Sequence, residues 1–242
     1  MLFTATMNSA VILLGGALLA GAVDAATPPG RTVPDTMVER VSACTTCHGK
    51  EGRATSEGYF PRIAGKPAGY LFNQLVNFRE GRRHYALMTY LVDHLTDAYL
   101  HEISGHFAAL DLPYPPPQAA GAPPQVLSRG EALVRNGEPG RSLPACAQCH
   151  GQALMGVNPA IPGLLGLSRD YLHGQLGHWK TGQRRAHAPD CMSKIAGLLT
   201  HEEIGAVSTW LASQPVPPGA KPAPRRADPL PMECGVLSKA VK

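Results

Sequence analysis

Two copies of the pattern Cys-x-x-Cys-His constrain this chain more than any other feature of its sequence. In this pattern both thiols can form thioethers with the vinyl groups of a porphyrin, because the spacing lets one helical turn present both sulfurs to one edge of the ring. The histidine that follows then supplies a proximal nitrogen to the iron. We therefore predict two covalently bound haem c groups, each with its iron. The residues that would attach them are Cys44, Cys47 and His48 in the first copy and Cys146, Cys149 and His150 in the second.

A thioredoxin-type dithiol and a zinc site are the competing interpretations of these cysteines. A redox-active Cys-x-x-Cys is expected after a strand in a βαβ unit, and no strand pattern precedes either motif. A zinc ribbon would bring two Cys-x-x-Cys units into one tetrahedral site, whereas here each unit has its own histidine and the units lie far apart. Each motif is also followed directly by a glycine, Gly49 or Gly151. These features favour haem attachment.

The residues after each motif repeat as well, at nearly the same offset, and internal repeats indicate duplicated structural units. Each unit is small, but a haem provides a large apolar group around which a short chain can pack, and this compensates for the weak core expected at that size. The matching pairs include Pro61 and Pro162, Gly65 and Gly166, Tyr70 and Tyr171, Gln74 and Gln175, Phe78 and Trp179, Gly81 and Gly182, and Arg82-Arg83 and Arg184-Arg185.

Proline-rich stretches mark the limits of the two units. A linker at residues 113–124 separates a first haem domain at 27–112 from a second at 125–213, and another proline-rich stretch begins a C-terminal tail at 214–242. Such a linker is expected to be extended and fairly stiff. Apolar residues recur at helical spacing and no segment shows strand alternation. The predicted fold class is all-α, with two tandem haem domains joined by the linker.

Individual helices can be placed from apolar spacing and capping residues. Matching middle helices are expected at residues 67–78 and 169–179. Thr96 is predicted to begin one helix, and Thr200 another with the spacing of a capping box. Ser128 has the same spacing to a following glutamate, so a helix is also predicted to begin there.

The first residues have the composition of a secretion signal. Residues 10–22 are almost entirely apolar or small, which is short for a bilayer span, and Val23-Asp24-Ala25 has the small-x-small form of a cleavage site. No Lys or Arg precedes the apolar run, so an uncleaved membrane anchor is the alternative. We predict a signal peptide at residues 1–25 and a periplasmic protein, with peripheral membrane association left open.

The charge of the chain gives no reason to expect nucleic-acid binding. The sequence has 22 Lys and Arg against 18 Asp and Glu, a formal net charge of +4. The basic residues are scattered rather than arranged in stripes. The negative charges of the propionates on two haems would offset this net positive charge.

Two methionines at matching places are the candidates for the sixth iron ligand. Met88 and Met192 each follow the middle helix and precede a Leu-Thr pair by the same interval. A thioether favours ferrous iron, and His/Met ligation raises the reduction potential. Packing in an apolar core is the alternative role. A second histidine as ligand is another alternative, and the nearby candidates are His84, His94 and His187.

Two cysteines, Cys191 and Cys234, lie outside the haem motifs. In an oxidising compartment an even pair is expected to form a disulfide, which would tie the C-terminal tail beside Met192. Two free thiols are the alternative.

Taken together, the motifs and the repeated residues resemble the di-haem cytochrome c4 family and, more loosely, the related cytochrome c553-like class I c-type cytochromes. The resemblance covers nearly all of residues 35–213. It implies two cytochrome-c-like domains related by a pseudo-twofold axis, with haem edges facing each other near the interface. The tail with Cys234, and Cys191, depart from the family pattern. The axial ligands that the resemblance implies are His48, Met88, His150 and Met192.

The same resemblance implies an electron-transfer protein with no catalytic residues. Its redox partners would be a quinol-oxidising complex or a dehydrogenase as donor and a terminal oxidase or reductase as acceptor. The iron would cycle between ferric and ferrous states with both ligands kept. Two alternatives remain. One is a haem enzyme of the peroxidase or thiosulfate-oxidising type with one open iron site, and the other is a fixed cytochrome subunit of a membrane oxidoreductase complex.

Overall fold

A computed structural model of the protein describes residues 34–55, 57–225 and 229–239. The predicted signal peptide at residues 1–25 lies outside these ranges. None of the helices in the described part of the chain has the length and apolar character needed to span a bilayer.

The first half of the described chain is built from helices. Thr36 begins the first of them, because its hydroxyl accepts a hydrogen bond from the Glu39 amide at 3.3 Å. A short 3-10 helix at Lys50–Gly52 follows the first haem motif. The helices are α1 (Met37–Arg40), α2 (Ser42–His48), α3 (Ala68–Arg79), α4 (Ala86–Val92) and α5 (Asp97–Ala109).

The second half repeats this order and adds one small hairpin. Two short antiparallel strands, β1 (Gly156–Val157) and β2 (Ile161–Pro162), follow the second haem motif. The sequence predicted no strand, since two-residue strands are too short to show alternation. The helices are α6 (Pro124–Arg135), α7 (Cys146–His150), α8 (Arg169–Lys180), α9 (Cys191–Leu198), α10 (His201–Ser213) and, in the tail, α11 (Gly235–Lys239).

Capping residues mark where several of these helices begin. Thr96 precedes α5 and its hydroxyl accepts from the Tyr99 amide, while Thr200 precedes α10 in a complete capping box, so both predictions are confirmed. The prediction that a helix begins at Ser128 is wrong. That residue lies inside α6, which begins at Pro124. Proline is favoured in the first turn of a helix because it has no N–H to leave unpaired.

Each half has its own apolar core, built on a pair of helices. In the second half α6 lies so close to α10 that a Cβ on Gly130 would lie 2.3 Å from the Ala206 carbonyl oxygen. The first core contains Val41, Leu71, Val76, Phe78, Val92, Leu100, Ile103 and Phe107. The second contains Leu133, Val134, Leu143, Ala147, Leu154, Met155, Leu165, Leu172, Leu199, Ile204, Val207, Trp210, Leu211 and Ala212.

The two halves meet along a short antiparallel backbone contact between Arg83 and Arg184. On either side of it, the His84 amide donates to the Gln183 carbonyl at 3.0 Å and the Arg185 amide donates to the Arg82 carbonyl at 2.7 Å. The residues that follow the two middle helices therefore meet at the interface, and they occupy matching positions in the repeat.

The C-terminal tail packs on both halves. Its Ala223 pairs with Val157 beside the hairpin, and Cys234 forms a disulfide with Cys191 of α9. Beyond the disulfide, the Val236 carbonyl accepts a hydrogen bond from the Asn73 side chain of α3 at 3.2 Å. The tail thus connects the start of α9 with the first half.

Candidate haem sites

The first haem motif occupies α2 and places its three functional side chains together. Cys44 and Cys47 are half-buried free thiols, and His48 is the last residue of the helix with only 8% of its surface exposed. The His48 Nδ1–H donates to the Pro61 carbonyl oxygen at 2.8 Å. Since a carbonyl can only accept, Nε2 is left without a proton and its lone pair is available to a metal. Gly49, with a φ of 75°, then turns the chain away.

The second motif repeats this arrangement on α7. His150 is also 8% exposed, and its Nδ1–H donates to the Pro162 carbonyl oxygen at 2.7 Å. Burial raises the pKa of Cys146 to about 12, so its sulfur is a protonated thiol at neutral pH. The described residues contain no group of three His, Cys, Asp or Glu side chains that could hold a metal ion.

His48 and His150 both favour the neutral form that a metal ligand requires. Burial lowers the pKa of His48, and the nearby Arg83 lowers it further, while the hydrogen bond to Pro61 acts in the opposite direction. Burial likewise lowers the pKa of His150, with a smaller contribution from Lys66 and an opposing one from the Pro162 hydrogen bond. A neutral imidazole with its second nitrogen hydrogen-bonded has the form expected of a metal ligand.

The two methionines predicted as sixth ligands lie on matching short helices. Met88 is the third residue of α4 and packs against the first core, and Met192 is the second residue of α9, directly after the disulfide cysteine. Both are half-buried. Met155, by contrast, is 2% exposed in the second core, so it has a packing role.

The competing histidines do not share this placement. His84 is exposed, and so is the His94 side chain. The third candidate, His187, is engaged at Nε2, because the Arg82 guanidinium lies 3.1 Å away and can only donate.

Two buried arginines at the interface have charges that the acidic groups of a bound cofactor could neutralise. Arg83 is 9% exposed and Arg184 is 4% exposed, and neither forms an ion pair with a described residue. Their partners are neutral. Arg83 donates to Gln175 at 2.7 Å, and Arg184 donates to Gln74 at 2.9 Å. Two buried cations with only neutral partners are costly unless an anion joins them.

One buried N–H in the second half also lacks an acceptor. The Trp179 indole Nε1 is buried and has no hydrogen-bond partner among the described residues, while the Arg184 guanidinium stacks on the same ring, 3.8 Å from its centroid. Haem propionates are anionic acceptors, so Trp179 and the two arginines fit a haem in the same way that the cysteines and histidines do. At the matching position the first half has Phe78, which cannot donate.

The sequence pointed to the attachment residues but missed the buried polar residues of the interface. Arg83 and Arg184 enter the sequence prediction only through the repeat, and no sequence pattern distinguishes Lys66. The available signal is that polar residues repeat as faithfully as apolar ones, since Tyr70, Gln74 and Arg83 all have counterparts. A repeated polar pair on one helix face, such as Tyr70 and Gln74, together with a repeated arginine after the helix, indicates a shared buried role.

Comparison with known proteins places the chain among di-haem cytochromes. It is 33% identical over 180 residues to "Thiosulfate dehydrogenase electron acceptor" of Thiomonas intermedia, covering 73% of this chain and 81% of that protein. It is 33% identical to "Cytochrome c4" of Thiocapsa roseopersicina, covering 69% of this chain and 85% of the relative. Its structure matches that of reduced cytochrome c4 from Pseudomonas stutzeri with a TM-score of 0.64 and 27% identity, over 73% of this chain and 96% of that one. No family model matches the sequence.

The relatives agree with two covalent haem c groups and with a helical two-domain fold. The predicted class of c-type cytochrome and its two covalent haem c groups are therefore confirmed, and so is an electron-transfer rather than an enzymatic role. The chain belongs to the cytochrome c4 family, the di-haem electron-transfer cytochromes.

Proposed function

We propose that this protein is a periplasmic electron acceptor of a thiosulfate dehydrogenase and that it passes the electrons to a terminal oxidase or reductase. The observation that carries the donor is the similarity to the Thiomonas protein named as the electron acceptor of such an enzyme. The general role, exchange of electrons with partner proteins, follows from the family. The quinol-oxidising complex is the competing donor.

We also propose that His48 and Met88 are the axial ligands of the first haem and that His150 and Met192 are those of the second. When bound, each haem supplies one ferric/ferrous couple. The chain orients each proximal imidazole through a backbone carbonyl, keeps Nε2 free of a proton and surrounds the site with apolar side chains. A soft thioether on the other side favours the ferrous state and fills the sixth position.

Stopped-flow reduction by purified donors tests the partner. Mixed with a thiosulfate dehydrogenase and thiosulfate, the oxidised protein is expected to take up two electrons rapidly, and with thiosulfate alone it is expected to remain oxidised. Efficient reduction only by a quinol-oxidising complex would identify the competing donor. Reduction by thiosulfate without the dehydrogenase would move the protein to the thiosulfate-oxidising class.

Carbon monoxide tests the ligands, because it binds ferrous haem only where the sixth position is open. The spectrum of the dithionite-reduced wild-type protein is expected to be unchanged by carbon monoxide. In Met88→Ala or Met192→Ala about half of the haem should bind the gas, since each change opens one of two equivalent sites. If a methionine variant stayed inert, that methionine would not be a ligand.

The cellular location and the domain limits remain predictions of the sequence. We propose cleavage after residue 25 and domains at 27–112 and 125–213. N-terminal sequencing of protein from the periplasmic fraction should begin at Ala26, and an intact Met1 in the membrane fraction would establish the uncleaved anchor instead.

A further inference from the structure

Lys66 is a buried lysine of the first domain that reaches into the second. Only 3% of its surface is exposed, and its Nζ donates to the Gly163 carbonyl oxygen at 3.0 Å. Gly163 directly follows Pro162, whose carbonyl accepts the hydrogen bond from His150. The ammonium therefore contacts the peptide next to the one that orients the second proximal histidine.

The surroundings of Lys66 leave its charge uncompensated. The ammonium forms no ion pair with a described residue. The charged and titratable groups that face it are Arg62 in its own loop and His150 of α7, and Arg62 in turn faces Tyr114 and Asp111. Burial, followed by the charge of Arg62, lowers the pKa of Lys66 to about 7.

The first haem site has no equivalent of this contact. The repeat places Leu167 at the position that corresponds to Lys66, and Leu167 packs against the second apolar core. The second domain therefore has no lysine equivalent to Lys66 that could contact the loop at Pro61, whose carbonyl accepts from His48. Lys66, whose charge acts on His150, is therefore one difference between the two sites, and Arg83, whose charge acts on His48, is another.

We propose that Lys66 is a positioning residue for the second haem, and that its ammonium raises the reduction potential of that haem above the value its axial ligands alone would give. A nearby positive charge in a low-dielectric interior disfavours the more positive ferric state. The hydrogen bond to Gly163 also fixes the backbone directly after Pro162 of β2. The inference rests on the proposed roles of His150 and Met192 as iron ligands of the second haem.

A consequence is that proton and electron binding are linked. A ferric second haem would carry one more positive charge than a ferrous one, so oxidation by a redox partner would favour release of a proton from Lys66 Nζ to solvent, and reduction by a partner would favour its return. As pH rises through about 7, the ammonium is lost. The potential of the second haem is therefore expected to fall with rising pH, and that of the first haem to change less.

Spectroelectrochemical titration of the holoprotein tests this directly. Met88→His and Met192→His, which exchange a thioether for a harder ligand, assign the two potentials to the two domains. Lys66→Gln keeps a donor for Gly163 without the charge, Lys66→Met removes both, and Lys66→Arg keeps the charge at every pH. Lys194→Gln is the matched control, because Lys194 is an exposed lysine of the second domain.

We expect Lys66→Gln and Lys66→Met to lower the second potential so that the electron distribution between the haems shifts about tenfold, which corresponds to about 59 mV for a one-electron couple. Lys66→Arg should keep the high potential but lose the pH dependence near 7, a signature that a purely structural role would not produce. Lys194→Gln should leave both potentials unchanged, because water screens an exposed charge.

Two results would overturn the proposal, and they can be told apart. If Met192→His lowers one potential but Lys66→Gln affects that potential no more than Lys194→Gln does, Lys66 does not tune the haem. If Met192→His changes neither potential, the proposed ligand set is wrong and the role of Lys66 falls with it.

Discussion

After the first haem motif the chain turns two charged side chains inward, whereas after the second it buries apolar ones. Arg62 donates to the carbonyls of Leu112, at the end of the first domain, and Pro113, at the start of the linker, and Lys66 donates to Gly163 of the second domain. The corresponding part of the second domain contributes Leu154 and Leu165 to its own core. The proximal hydrogen bonds are nonetheless almost identical, at 2.8 and 2.7 Å.

This comparison shows that one haem-binding geometry can be supported in two ways. The first domain extends buried charged side chains to the linker and to its neighbour, while the second has a larger core, a disulfide to the tail and a buried carboxylate. Its core cluster holds fourteen described residues against eight in the first. We therefore expect substitutions in the disulfide or at the buried carboxylate to destabilise the second domain strongly and to affect the first domain little.

Removing the disulfide should have the largest effect. The bond between Cys191 and Cys234 closes a segment with a sequence separation of 43, for which loop entropy predicts about 4 kcal/mol of stabilisation. The double variant Cys191→Ser with Cys234→Ser should destabilise α9 and lower the potential of the second haem, because Met192 adjoins the bond. Hydrogen exchange resolved by peptide would measure this, and equal loss of protection in both domains would contradict local support.

The buried carboxylate Glu203 should come next. It accepts from Arg141 at 2.7 Å and from the Thr200 amide at 2.9 Å, and Arg129 is a third donor. Glu203→Ala leaves the Thr200 amide without this acceptor and leaves Glu138 as the remaining carboxylate partner of the two arginines, so it should cost about 2–3 kcal/mol in the free energy of unfolding. Calorimetry would measure the loss. The control is Glu102→Ala, a half-exposed carboxylate of the first domain that should have a much smaller effect.

The same carboxylate predicts acid sensitivity of the second domain. Its hydrogen bonds, with that from Arg141 first, lower the pKa of Glu203 to about 2. A lowered pKa means that the stabilisation is fully present above the ordinary value near 4.5 and is lost as pH falls toward 2. In an acid titration the wild-type protein should lose stability over this window, and Glu203→Ala should lose less.

Two helical glycines, one in each domain, should give a smaller effect of opposite sign. Gly130→Ala would push a Cβ into the Ala206 carbonyl of α10 and should cost about 2 kcal/mol. Gly105→Ala in α5 meets no atom within 4 Å, so it should stabilise the first domain by about 0.5–1 kcal/mol through helix propensity. If both substitutions changed the free energy of unfolding in the same direction, the contact between α6 and α10 would have relaxed to make room for the added Cβ.

The helix caps should give the smallest difference. Thr96→Ala removes one hydrogen bond, to the Tyr99 amide, and should cost about 1 kcal/mol. Thr200→Ala breaks a reciprocal box and should cost more. Urea titrations of both variants would rank them, and an equal cost would mean that Glu203 is held well enough by its arginines alone.

The parts predicted from sequence were those with local causes. The haem motifs, the middle helices and the caps at Thr96 and Thr200 each depend on residues close together in the chain, and the disulfide depended on there being one remaining pair. The burial of Lys66 and Arg83 depends on a neighbouring domain, and a charged residue viewed alone is expected at the surface. The helix start predicted at Ser128 was wrong because α6 already begins at Pro124, four residues earlier.

The interface around Arg83 and Arg184 is also self-complementary. Each arginine donates to the glutamine of the other half, so the contact has the exchanged form of a twofold-symmetric dimer. The linker makes this association intramolecular, which gives it an effective concentration on the order of millimolar. Cutting the linker would turn a first-order assembly into a second-order one. The distance between the two haems would then depend on dilution, and electron exchange between them would become a bimolecular process.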